Sequence, residues 1–148
     1  MAPNLSELGG NRGQSRSKPL ILLVDDDPDS RHVMHVQLAK KGYRVAEADN
    51  GKSALELIEG QLPSLVVTDV QMAVMNGIEL VETIRATERL SSLPVIIMSA
   101  HGTRLCEQAL RAGANDAVRK PVLVDSLMQK IEALLKEELF GPSGGSPH

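Results

Sequence analysis

Aromatic residues are almost missing from this chain: Tyr43 and Phe140 are the only two in 148 residues, and there is no Trp. The interior must therefore be built from Leu, Ile, Val, Ala and Met, and there is little platform for stacking on bases or sugars. A basic excess is missing as well. Lys and Arg number 16 against 19 Asp and Glu, a net charge of −3. No basic stripe is available to track a phosphate backbone, so direct nucleic-acid binding is not expected. Cysteine occurs once, at Cys106, which excludes an internal disulfide and fits a reducing compartment. Its place in a helical pattern marks a small packing residue before a redox centre. No apolar run reaches the roughly 20 residues of a bilayer crossing. The N-terminus has no hydrophobic signal segment either, so a cytoplasmic location without membrane insertion is expected.

What the chain does have is a series of short aliphatic runs. Its 148 residues, 42% of them hydrophobic, suit one domain with one core. The central run is Leu65-Val66-Val67-Thr68-Asp69, bracketed by Pro63 and the turn-like Asn76-Gly77. It reads as a strand buried on both faces. The run ends on a carboxylate, at the end of a strand where open α/β sheets bind ligands. Alone, such an Asp is more often a turn former or helix cap, so the other strands decide its meaning.

Residues 1–18, with Gly9-Gly10, Gly13 and several Ser and Arg, predict a flexible arm. From Pro19 the run Leu20-Ile21-Leu22-Leu23-Val24 predicts a buried strand ending on Asp25-Asp26-Asp27. Asp27 suits a cap and Pro28 a first helical turn. Val33, Met34, Val36 and Leu38 give a partly apolar helix that Gly42 terminates, with His32 and His35 expected at its surface. An alternating strand over 43–48 follows, and Ala54, Leu55 and Ile58 then recur at helical spacing. After the Asp69 strand come a helix with Ile78, Leu80, Val81 and Ile84, and a strand from Pro94 to Met98 ending on Ser99. The next helix carries Leu105, Ala109 and Leu110 and stops at Gly113. A short strand over 116–119 leads to Lys120-Pro121, and the last helix holds Leu127, Ile131, Leu134 and Leu135. A Gly- and Pro-rich tail is expected over 140–148, leaving 19–139 as the folded domain. Five strands alternating with five helices predict a parallel sheet with right-handed crossovers in a three-layer α/β sandwich.

In a parallel sheet every strand ends on the same edge. That edge would gather Asp25 and Asp26, Asp69, Ser99 and Lys120. Three crowded carboxylates repel one another unless a cation intervenes, and a hard divalent ion such as Mg²⁺ suits oxygen ligands. Lys120 adds a point charge suited to a phosphoryl group, and Ser99 adds a neutral donor. Phosphoryl transfer needs mostly positioning and charge neutralisation, and a carboxylate can act as its covalent acceptor. Asp69, on the central strand, is the candidate acceptor. Asp25 and Asp26 are left to hold the metal.

These motifs resemble the receiver domain of two-component response regulators. The resemblance rests on Leu22 to Pro28, on Val66 to Met72 with Met75-Asn76-Gly77, on Leu93 to Ala100, and on Gly113-Ala114 followed by Lys120-Pro121. It implies a flavodoxin-like (βα)5 fold with strand order 2-1-3-4-5. It also implies that Asp69 accepts phosphate from a phosphohistidine on a sensor histidine kinase or phosphotransfer protein. Mg²⁺ would be held by Asp25, Asp26, Asp69 and the backbone carbonyl of Gln71, with Ser99 and Lys120 on the phosphoryl oxygens and a cis Lys120–Pro121 bond. Such a protein is modified once rather than turning over substrate. With no sequence left for an output domain, a stand-alone receiver signalling by protein–protein contact is expected, through helix four, strand five and helix five.

The chain departs from the family pattern at three positions. Ala73 stands where Pro is usual, Val122 where Phe is frequent, and Ala117 where Phe or Tyr normally couples the site to the surface. Gln71 and His101 occupy positions that set phosphoryl lifetime in the family.

Three other readings compete for the same residues. Asp25, Asp27 and Asp29 resemble the start of an EF-hand, but its sixth and twelfth positions are Ser30 and Val36 instead of Gly and Glu. A haloacid-dehalogenase-type phosphatase would use Asp25-Asp26-Asp27, yet it expects a late acidic pair where only Asp125 follows Lys120 soon. A receiver-like adaptor that is never phosphorylated is the remaining alternative, suggested by Ala117.

Overall fold

The structure is a computed structural model that describes residues 18–100 and 103–145. The aliphatic runs become β1 (Leu20–Val24), β2 (Arg44–Ala48), β3 (Leu65–Asp69), β4 (Val95–Ser99) and β5 (Asp116–Arg119). They form one parallel sheet in the order β2-β1-β3-β4-β5. Between and after them lie α1 (Pro28–Lys40), α2 (Gly51–Gly60), α3 (Gly77–Ala86), α4 (Thr103–Ala112) and α5 (Val124–Gly145). A 3-10 turn, Glu88–Leu90, leads into β4. This is the expected flavodoxin-like three-layer sandwich.

Alternation along the strands decides which helices cover which face. Leu22, Val24, Val66 and Ile97 pack with Ala54, Ile58, Leu80, Ile84 and Ala109 in the layer of α2, α3 and α4. Ile21, Leu23, Val67, Ile96 and Met98 pack with Leu38, Leu127 and Ile131 in the layer of α1 and α5. All five positions of β1, β3 and β4 are therefore buried, which is why they read as unbroken apolar runs.

Several local expectations change in three dimensions. Asn76-Gly77 is a helix start instead of a free turn: Asn76 caps α3, and Glu79 returns a bond to the Asn76 N–H, a capping box. In α1 only Leu38 is buried, with Met34 packed beside it, because the two share one stripe at i, i+4 spacing. Val33 and Val36 face solvent at 56% and 38% exposure. The helix α5 continues to Gly145, past the boundary expected at Phe140, although Gly141, Pro142, Gly144 and Gly145 are poor helix formers.

His35, expected at the surface, is instead half-buried in contact with Glu47 on β2. Arg31 Nε donates to the other Glu47 oxygen at 2.8 Å. At the far end of the sheet Arg85 fastens three segments. It donates to the carbonyls of Leu93 (2.7 Å) and Gly113 (2.9 Å) and to Asn115 Oδ1 (2.8 Å). That same Asn115 oxygen accepts the Val95 N–H at the start of β4.

Two stability predictions follow from these polar contacts. Arg85→Lys cannot span the same acceptors, and should lose about 1–3 kcal/mol by urea unfolding; an unchanged midpoint would remove Arg85 from this role. The Arg31 hydrogen bond holds the Glu47 carboxyl below its ordinary pKa of 4.5, with burial opposing and His35 assisting. A depressed native pKa gives stability that is present above the unfolded value and lost as pH falls through the native one. Glu47→Gln should therefore be less stable than wild type at pH 7, by up to about 1 kcal/mol. That gap should close as the pH drops below 4.5.

Candidate functional site

Covered on both faces, the sheet exposes its chemistry only at the carboxyl ends of its strands. Backbone hydrogen bonds carry the ladder one residue past the strand ends. Asp25 N–H donates to the Ala48 carbonyl (3.1 Å), Val70 N–H to Met98 (3.0 Å) and Lys120 N–H to Ser99 (2.9 Å). Each functional side chain thus projects from backbone pinned to a neighbouring strand. Asp25, Asp69 and Ser99 are 3%, 8% and 1% exposed, whereas Asp26 is open to solvent.

Carboxylate oxygens of Asp25, Asp26 and Asp69 lie within 4.8 Å of one another. The Lys120 ammonium reaches into this group, 2.9 Å from Asp69 Oδ2 and 3.3 Å from Asp25 Oδ2. Asp25 Oδ1 accepts the Asp27 N–H at 3.0 Å. Burial pushes the Asp69 carboxyl above its ordinary pKa; Lys120 and a backbone hydrogen bond from Gln71 oppose that shift, while the Asp25 charge adds to it. Burial alone would lower the Lys120 pKa, but its hydrogen bond to Asp69 and the charges of Asp69 and Asp25 raise it, so it stays an ammonium. Fully ionised, the cluster holds three carboxylates against one ammonium. The net of −2 and an all-oxygen donor set fit a hard divalent cation such as Mg²⁺.

The predicted residues Asp25, Asp26, Asp69 and Lys120 therefore meet at one edge, with Ser99 ending the adjacent strand β4. Gln71 lies in the exposed loop after β3 and bonds Asp69 through its backbone. The Lys120–Pro121 bond is cis, as the resemblance implies. Ala117 packs against the α2–α4 layer and Val122 against the α1–α5 layer. His101 lies outside the described residues, as do 1–17 and 146–148.

Three contributors escape a reading of local sequence. Arg31 Nη1 donates to the Asp25 carbonyl at 2.6 Å, and Thr68 Oγ1 donates to the Asp69 carbonyl at 3.0 Å. Gly77 N–H donates to the Val70 carbonyl at 2.8 Å, and a Cβ on Gly77 would lie 2.2 Å from the Asp69 carbonyl oxygen. Gly77 was legible only as turn chemistry, and nothing in the local pattern marks Arg31.

Comparison with known proteins is decisive on family: the response regulator receiver domain family matches residues 21–132. The chain belongs to that family. An uncharacterized 14.6 kDa protein from Leptolyngbya boryana is 44% identical over 69% of this chain and 79% of its own length. Chemotaxis protein CheY of Pseudomonas aeruginosa is 37% identical, over 78% of this chain and 95% of its own. A CheY-like receiver domain structure from Methanospirillum hungatei superposes with a TM-score of 0.77 at 30% identity, covering 84% of this chain and all of that one (100%). Other relatives are longer: the receiver spans 52% of a transcriptional regulatory protein and 9% of a histidine kinase. Among the described residues, no helix is long and apolar enough to cross a membrane.

Gly77→Ala tests how tightly the loop after β3 is held. The new methyl would meet backbone of Asp69 and Val70, with no flexible side chain to yield. A loss of roughly 1–3 kcal/mol in unfolding free energy is expected, and a wild-type melting curve would show slack in the loop.

Proposed function

We propose that Asp69 accepts a phosphoryl group from a phosphohistidine on a sensor histidine kinase or phosphotransfer protein, in a Mg²⁺-dependent reaction read out by a protein partner. The observation that carries this reading is the Lys120 ammonium set between Asp69 and Asp25 inside the acidic cluster. An Asp69 oxygen attacks phosphorus in line. The new O–P bond forms as the P–N bond breaks, and the imidazole leaves with the electron pair. Asp25, Asp26 and Asp69, with the Gln71 carbonyl, would hold the Mg²⁺. When bound, the ion neutralises charge on the phosphoryl oxygens and the acceptor. Lys120, kept protonated by its two Asp partners, is placed to move from Asp69 Oδ2 to a phosphoryl oxygen. Ser99 serves as the neutral donor from the adjacent strand.

Membership of the receiver family replaces the phosphatase alternative. The adaptor reading keeps one supporting observation: Ala117 offers a methyl where the family's coupling aromatic would stand.

Intact-mass spectrometry after incubation with acetyl phosphate and Mg²⁺ tests the assignment. Wild type should gain a single phosphoryl group and Asp69→Asn none. Labelling that persists in Asp69→Asn would overturn the acceptor assignment. Absence of any adduct on wild type would favour the adaptor.

A further inference from the structure

We propose that Arg31 is a positioning residue for the acidic pair: braced by Glu47, it fixes the Asp25–Asp26 peptide and thereby the carboxylate geometry a divalent cation requires. This inference rests on the phosphoacceptor reading and its Mg²⁺ requirement.

In a parallel ladder the N–H and C=O of one residue point to the same side. The Asp25 N–H finds the Ala48 carbonyl, but β2 ends at Ala48, so the Asp25 carbonyl has passed the end of its ladder. The Arg31 guanidinium takes that carbonyl at 2.6 Å from the first turns of α1. Its Nε is held at 2.8 Å by Glu47 Oε1, and the second Glu47 oxygen is in contact with His35. Strand β2 thus holds the Asp25 backbone on both sides of its Cα, directly through Ala48 at the N–H and indirectly through Glu47 and Arg31 at the carbonyl. The carbonyl belongs to the peptide that leads into Asp26, the exposed member of the cluster, so its direction sets where that side chain begins.

Charge and positioning predict opposite signs. On charge alone, removing a cation beside an acidic site should tighten binding of Mg²⁺. If Arg31 positions the pair, removing it weakens binding.

Calorimetric titration of the unphosphorylated full chain with Mg²⁺ at fixed ionic strength separates the two. Arg31→Ala should raise the Kd roughly tenfold, the low end of what loss of outer-shell support costs. Arg31→Lys, a single donor unable to span both acceptors, should fall between the two. Leu38→Val, buried in the same helix, should lower the melting temperature and leave the Kd unchanged. Should Arg31→Ala fail to fold, Arg31→Gln is expected to weaken binding in the same direction. A Kd at or below wild type in folded Arg31 variants overturns the inference while leaving the phosphoacceptor reading intact. Wild type that binds no Mg²⁺ overturns both.

Discussion

A parallel sheet covered on both faces leaves its chain one place to do chemistry. Every position of β1, β3 and β4 is buried, and parallel strands all end on the same edge. Polar side chains placed along those strands would have to be satisfied inside an apolar layer. At the carboxyl ends, backbone order persists while polar side chains from different strands meet one another, and Asp26 opens the group to solvent. The site is rigid for the same reason: the ladder carries one bond past the strand ends at Asp25, Val70 and Lys120.

That edge is also where the fold is electrostatically out of balance. Asp25 and Asp69 are buried beside each other and share one ammonium. Replacing a buried ionic cluster with apolar residues is often neutral or stabilising, so its presence reflects function before stability. The two partners respond in keeping with this. Lys120 is driven further toward its charged form by its neighbours. Asp69 is pushed toward its neutral form by burial more than Lys120 can oppose. A cation that compensates Asp69 therefore also favours the ionised carboxylate that a phosphoryl acceptor needs.

The strands and their carboxyl-terminal residues are legible in the sequence because burial on both faces leaves continuous aliphatic runs, and a run has an unmistakable end. Strand order is not legible in that way. Periodicity says only that strands and helices alternate, and the order came from motif resemblance. The Asn76–Glu79 capping box is legible as Asn-x-x-Glu, a helix-start signal that overlaps the Asn-Gly turn signal. Arg31, Glu47 and His35 are different. Arg31 and His35 meet a residue on the next strand, 16 and 12 positions away, and only the packing of α1 against β2 brings them together. Gly77 is likewise invisible as a packing requirement until the Asp69 carbonyl is seen against it.

Those contacts also bear on how events at Asp69 reach the surface. A ligand or modification shifts a conformational equilibrium only through contacts that differ between the states. An aromatic ring can occupy two well-separated rotamers; the Ala117 methyl has one position, fixed by its packing in β5. Ala117 therefore has no second rotamer through which to couple the site to the surface. The carboxylate edge is instead joined to two helices. Its Asp69 backbone lies against Gly77 with no room for a Cβ, at the start of α3. Its Asp25 carbonyl is held by Arg31 on α1. A displacement of the Asp69 backbone toward Gly77 has to be taken up by α3, and one of the Asp25 carbonyl lengthens or breaks its bond to Arg31 on α1.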